Sequence, residues 1–132
     1  MKRRATRSLL VVPARALLLV VLARVSFVRA QEAPPSAERE ATDELLRAGV
    51  RERVAGHDDR AVVTFDAAVR RCDCGEAYAQ RGLASLALGR WLASYEDLER
   101  ALSGPADPWV ARNRVELETA RDAAGRHRAV LD

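Results

Sequence analysis

Few residues in this chain have types and spacings suited to chemistry. Cys72 and Cys74 are the only cysteines and stand two apart. An even cysteine count in an exported chain invites a disulfide, yet a bridge across a CxC step closes only three residues and has little chain entropy to remove. Three readings stay open for the pair: ordinary turn residues, a local disulfide, or a redox or metal role. His57 and His127 are the only histidines, neither is near the cysteines in sequence, and no second CxxC exists, so no metal is expected. The acid pairs Asp58-Asp59 and Glu96-Asp97 are expected in or near first helical turns, where carboxylates complement the helix dipole. Nothing supplies a nucleophile, base or oxyanion donor around them. The serines lack a His-Asp arrangement, and no glycine-rich phosphate loop occurs. The expectation is a protein with no enzymatic activity and no cofactor.

The elements that would position any site are helical. Gly75 to Leu102 carries apolar and small residues at three-to-four-residue steps, first Tyr78, Ala79, Gly82, Leu83, Ser85 and Leu86. After Gly89 the pattern restarts with Ser94, Tyr95, Leu98, Ala101 and Leu102. Two short helices with a glycine between them form a helical hairpin. Sliding the sequence by 33 residues places Leu45 on Tyr78, Gly49 on Gly82, Gly56 on Gly89, Ala61 on Ser94, Phe65 on Leu98 and Ala68 on Ala101. Gly49 and Gly82 fall mid-helix, where glycine costs about 1 kcal/mol relative to alanine. Their recurrence predicts the close approach of a neighbouring backbone, with Ala61 and Ser94 as the opposing surface. Phe65 and Leu98 are expected to fill the space between the helices.

These residues resemble the tetratricopeptide repeat, a helical hairpin of about 34 residues that stacks into a superhelix. The pattern runs Leu45, Ala48, Gly49, Gly56, Ala61, Phe65, Ala68 in one unit and Tyr78, Gly82, Gly89, Ser94, Leu98, Ala101 in the next. Glu52 and Ser85 replace a usual aromatic, Arg81 replaces a leucine, and Asp73 stands where a proline would close the first unit. The resemblance implies an all-α fold of stacked antiparallel hairpins, with units at about 42–74 and 75–105 and a partial, capping unit at 107–132. It also implies a concave face made by the first helix of each hairpin, binding a peptide or helix of a partner protein. Carried over residue by residue, that face comprises Leu46, Val50 and Arg53, then Ala79, Leu83 and Leu86. These are mostly aliphatic, which does not suit a clamp for a C-terminal carboxylate but suits an apolar or amphipathic segment. The competing expectation is that the fifth helix, or the start of the first, covers them as core. A self-associating structural role is the alternative function, because fewer than three units are marginal alone.

Composition bounds the partners. Aromatics are only 5% of the 132 residues, and of 22 basic residues only Lys2 is lysine. Residues 1–30 hold seven basic groups and no acid, leaving 15 basic and 19 acidic groups in residues 31–132. Nucleic acid is therefore not an expected partner. Lys2, Arg3, Arg4 and Arg7 precede the apolar run Ala16 to Ala23, and Val28-Arg29-Ala30 resembles a small-x-small cleavage site. Residues 1–30 are read as a signal peptide for export to the periplasm, cell envelope or medium. The alternative is an uncleaved inner-membrane anchor at 9–28, in which Arg15 and Arg24 would be costly.

Residues 31–36 are expected to be a linker. After it come helices near 37–55, 58–71, 76–88 and 91–102. Asp107-Pro108 opens a fifth as N-cap and N1, ending at Gly125. The tail Arg126 to Asp132 could begin a partner helix.

Overall fold

The computed structural model describes residues 35–129, and everything below concerns those residues. The expectations for residues 1–34, including export or anchoring, lie outside them, as does the tail beyond Ala129. Six helices make up the described chain: α1 (Pro35–Val54), α2 (Asp58–Arg71), α3 (Gly75–Ala87), α4 (Trp91–Ser103), α5 (Pro108–Arg112) and α6 (Arg114–Ala129). No strand occurs among the described residues. None of the described helices is long and apolar enough to cross a membrane.

Two turns repeat the same device. Gly56 has φ +79° and Gly89 φ +68°, the left-handed conformation that glycine adopts without a Cβ penalty. Around the first, Gly56 N–H donates to Arg53 O and His57 N–H to Glu52 O, both at 2.9 Å. Around the second, Gly89 N–H donates to Leu86 O and Arg90 N–H to Ser85 O. This paired bonding satisfies the last carbonyls of α1 and α3 and turns the chain back antiparallel.

Each helix packs on the next: α1 on α2, α2 on α3, α3 on α4, and α4 on α6. Alternate helices also meet, α1 with α3, and α3 with both α5 and α6. The result is two layers, with α1, α3 and the α5–α6 pair in one and α2 and α4 in the other. One core cluster joins Leu46, Ala61, Phe65, Ala68, Ala77 and Ala84; a second joins Tyr78, Ala79, Leu83, Leu98, Ala101, Val110, Leu117 and Ala120. Phe65 and Leu98, one step of 33 residues apart, are both fully buried.

The role of the mid-helix glycines differs from expectation. A Cβ on Gly49 would meet the Phe65 ring first, and one on Gly82 would lie 2.9 Å from Leu98 Cγ. The glycines make room for the large side chain of the facing helix, rather than for the backbone at Ala61 or Ser94. Large residue over glycine is thus the packing unit, and it occurs twice.

Helix boundaries depart from expectation in three places. Pro35 and Ser36 already belong to α1, so the linker does not reach 36; proline fits a first helical turn, where its missing N–H has no partner to lose. The fifth helix is divided at Asn113, whose Nδ2–H donates to Trp109 O at 2.8 Å and competes with the helical ladder. It also continues through Gly125 instead of stopping there. A Cβ on Gly125 would lie 3.4 Å from the Tyr95 ring, and the last turn is held by Trp91 stacked on His127 at 4.0 Å and by Arg128 over Tyr95.

Asp107 ties the third unit to the second. As N-cap of α5, its Oδ1 accepts from the N–H groups of Trp109 at 2.8 Å and Val110 at 3.2 Å; its Oδ2 accepts from Glu76 N–H of α3 at 2.9 Å. The residue that should cap α3, Cys74, makes no side-chain cap bond. Asp107 supplies that bond from one unit away, and Gly75 lets it approach, since a Cβ there would lie 3.1 Å from Asp107 Cβ. Asp107→Ala should therefore cost more than an ordinary cap, about 2–3 kcal/mol, because two helices lose acceptors together. Chemical denaturation checks this; a loss under about 0.5 kcal/mol, the floor for a single cap, would mean that the capping is not shared.

Candidate functional site

An open cleft of about 540 Å³ lies where the N-terminal ends of α1, α3 and α5 meet. Arg39, Thr42, Asp43 and Leu46 of α1 form one wall, and Trp109 and Arg112 of α5 the other; Glu76, Cys72 and Cys74 lie between them. A shallower extension runs along α1 past Arg47 and Val50, sharing Asp43, Leu46 and Glu76. On α1 these residues recur at three- and four-residue steps, which places them on one helical face.

Of the six residues expected on the concave face, Leu46 and Val50 line this cleft and its extension. Ala79 and Leu83 do not line an open groove. They are buried in the core beside Val110, Leu117 and Ala120, because α5 and α6 lie over the middle helix. A charge at Leu83 would consequently report on folding rather than on binding. Leu86 is half-buried against the same cluster. Arg53 is turned onto α3, where its Nη1–H donates to Gln80 Oε1 at 2.6 Å.

The sequence reading missed Asp43, Glu76 and Arg112; Trp109 stands out in sequence only as a partly exposed tryptophan after a turn. The signal was present: the 33-residue slide carries Asp43 to Glu76 to Trp109 and Leu46 to Ala79 to Arg112. Extending the repeat into the partial third unit would have found them.

Glu76 has the most perturbed surroundings in the cleft. Burial raises its carboxyl pKa above the ordinary 4.5; the charges of Asp107 and Asp43 add to this, while Arg112 opposes it. A raised folded-state value means that the fold favours the protonated form. That contribution is complete below the unfolded value and is lost as pH rises through the folded one. Glu76→Gln should accordingly raise the denaturation midpoint near neutral pH and leave it unchanged in acid below the ordinary glutamate value. Denaturation curves at the two pH values check this; an equal effect at both would assign the change to something other than charge.

Facing the α2–α4 layer, Arg81 of α3 stands where the tetratricopeptide pattern would place leucine. Its Nε–H and Nη2–H donate to the two Asp97 oxygens at 2.8 and 2.7 Å, and its Nη1–H to Asp66 Oδ1 at 2.7 Å. One guanidinium on α3 thereby joins α2 to α4. The hydrogen bonds that Arg81 donates to Asp97 raise the Arg81 pKa above its ordinary value. Asp97 is therefore no first-turn carboxylate, as expected from sequence, but a buried partner in mid-helix. Asp58 and Asp59 do occupy the first turn of α2, behind an N-cap at His57.

Cys72 and Cys74 are joined as a local disulfide, so they are not free turn thiols. No protein-family model, curated protein or solved structure matches this chain.

Proposed function

We propose that this chain is a non-enzymatic binding module of the tetratricopeptide type, holding a peptide or helix of a partner protein against the face formed by α1, α3 and α5. The observation that carries the reading is the open cleft on that face, with half-buried Trp109 and, along its extension, half-buried Val50 as apolar contacts and charged groups of both signs around them. Apolar anchors within a polar rim are the composition of a protein-binding surface. The two-layer stacking of alternate helices supports the assignment to hairpin repeats. Export to the periplasm or envelope rests on the basic and apolar pattern of residues 1–30, and the acidic balance of residues 31–132 speaks against nucleic acid.

The test is site-specific photo-crosslinking in cells. A benzophenone side chain placed at exposed Asp43, on the cleft, should yield a discrete adduct with a partner protein. The same group at Val63, which is 69% exposed on α2, should not. An identical adduct pattern from both positions, or none from Asp43, would remove the cleft as the binding face.

A further inference from the structure

The linker between α2 and α3 separates its three side chains by side. Cys72 has φ −126° and ψ 129°, and Cys74 φ −105° and ψ 143°, both extended. Alternate side chains of an extended segment leave in opposite directions. Both cysteines accordingly line the cleft. Asp73 leaves the other way, and its Oδ1 accepts from the Tyr78 hydroxyl at 2.8 Å and from Arg100 at 2.9 Å. The Tyr78 hydrogen bond first, and the Arg100 charge second, hold the Asp73 carboxyl below its ordinary range. The negative charge between the two cysteines is thus fixed on the side away from their sulfurs, where it does not repel an incoming thiolate.

A bridge over so short a loop contributes little as a staple, and its two cysteines are only partly covered. We propose that Cys72–Cys74 is a thiol–disulfide exchange site whose substrate is a cysteine pair on a peptide or protein segment entering the cleft. One thiolate of that pair attacks Cys72 Sγ. The S–S bond breaks, and its electron pair leaves on Cys74 Sγ. The second thiolate of the substrate then attacks its own chain's sulfur in the mixed disulfide and releases Cys72. The substrate dithiol is oxidised by two electrons to a disulfide, Cys72 and Cys74 are reduced by two electrons, and the two substrate protons pass to their thiolates or to solvent.

Cys74 is the leaving group because of its place in the fold. It is the N-cap of α3, a helix of 13 residues. An N-cap residue sits at the positive end of the helix dipole, which favours charge developing on Cys74 Sγ over Cys72 Sγ as the bond breaks. Asp107 takes the Glu76 N–H, and Arg112 acts against the negative charges around Glu76. The exchange step does not depend on the peptide-binding reading, so a small synthetic thiol probes it alone.

The oxidised full chain is mixed with an excess of a synthetic peptide carrying one cysteine, quenched in acid and mapped by mass spectrometry. The oxidised synthetic octapeptide of residues 70–77 serves as the control, having the same ring without the helix. The expected result is an adduct on Cys72 over Cys74 by roughly tenfold or more, with a ratio near one in the control. One equivalent of dithiothreitol should give two alkylatable thiols in a chain whose circular dichroism is unchanged. Equal adducts on both sulfurs of the folded chain, an excess on Cys74, or reduction only in urea that unfolds the chain would each overturn the proposal.

Discussion

Replacing Phe65 with alanine should cost the chain about 3–5 kcal/mol of stability, the range for removing a fully buried aromatic side chain. Phe65 has no exposed surface, and its ring fills the space that the absent Gly49 side chain leaves open. Four of the buried residues in its cluster, Ala61, Ala68, Ala77 and Ala84, are alanines with no rotamers to rearrange, so the cavity collapses only in part. Leu98→Ala, the equivalent change in the second unit, should cost about 2–5 kcal/mol for the same reason. Urea denaturation followed by circular dichroism checks both. A loss below about 1 kcal/mol, the level of an ordinary surface-to-moderate substitution, would mean that these side chains are not the centre of the packing.

Arg81→Leu, which installs the residue the repeat family uses there, should destabilise this chain by about 2–3 kcal/mol. Breaking a buried ion pair from one side costs about 3–5 kcal/mol, because the remaining charge stays buried without a partner. Here the Arg81 and Asp97 side chains retain 21% and 12% exposure, so solvent screens part of that penalty. Asp66, at 39% exposure and also paired with Arg70, adds little to the total. The double variant Arg81→Leu, Asp97→Ala should recover most of the loss, since no unpaired charge remains. A single variant as stable as wild type would show that the bridge between α2 and α4 contributes nothing. A double variant no better than the single one would show that packing, not charge, was lost.

The helical hairpins were legible in the sequence because their determinants are local. Gly56 and Gly89 mark the left-handed turns, and the three-to-four-residue spacing around Tyr78 and Leu83 marks the faces. Pairwise packing was legible in part. The repeat alignment put Gly49 against Gly82 and Phe65 against Leu98, yet it set Ala61 and Ser94 opposite the glycines where Phe65 and Leu98 stand, because the facing residue depends on the crossing of two helices. The site was less legible. Ala79 and Leu83 have the spacing of a groove and the burial of a core, and only the position of α5 and α6 separates the two. Arg81 departs from the repeat pattern that the chain resembles without announcing its purpose, since Asp66 and Asp97 lie 15 and 16 residues away on different helices. Asp107 was visible as the cap of α5, but its second bond, to α3, is a tertiary contact that no local pattern encodes. Glu96-Asp97 misled because an acid pair near a helix start usually serves the dipole, whereas α4 begins at Trp91.

The seating of a large side chain over a glycine in each hairpin underlies the rest of the account, and Gly49→Ala measures it most directly. In an uncrowded helix this change stabilises by about 1 kcal/mol. Against the Phe65 ring it should instead destabilise, and Phe65→Leu in the same chain should relieve the cost, giving a favourable coupling between the two positions in a double-mutant cycle. A Gly49→Ala chain more stable than wild type, with no coupling to Phe65, would contradict the packing described here.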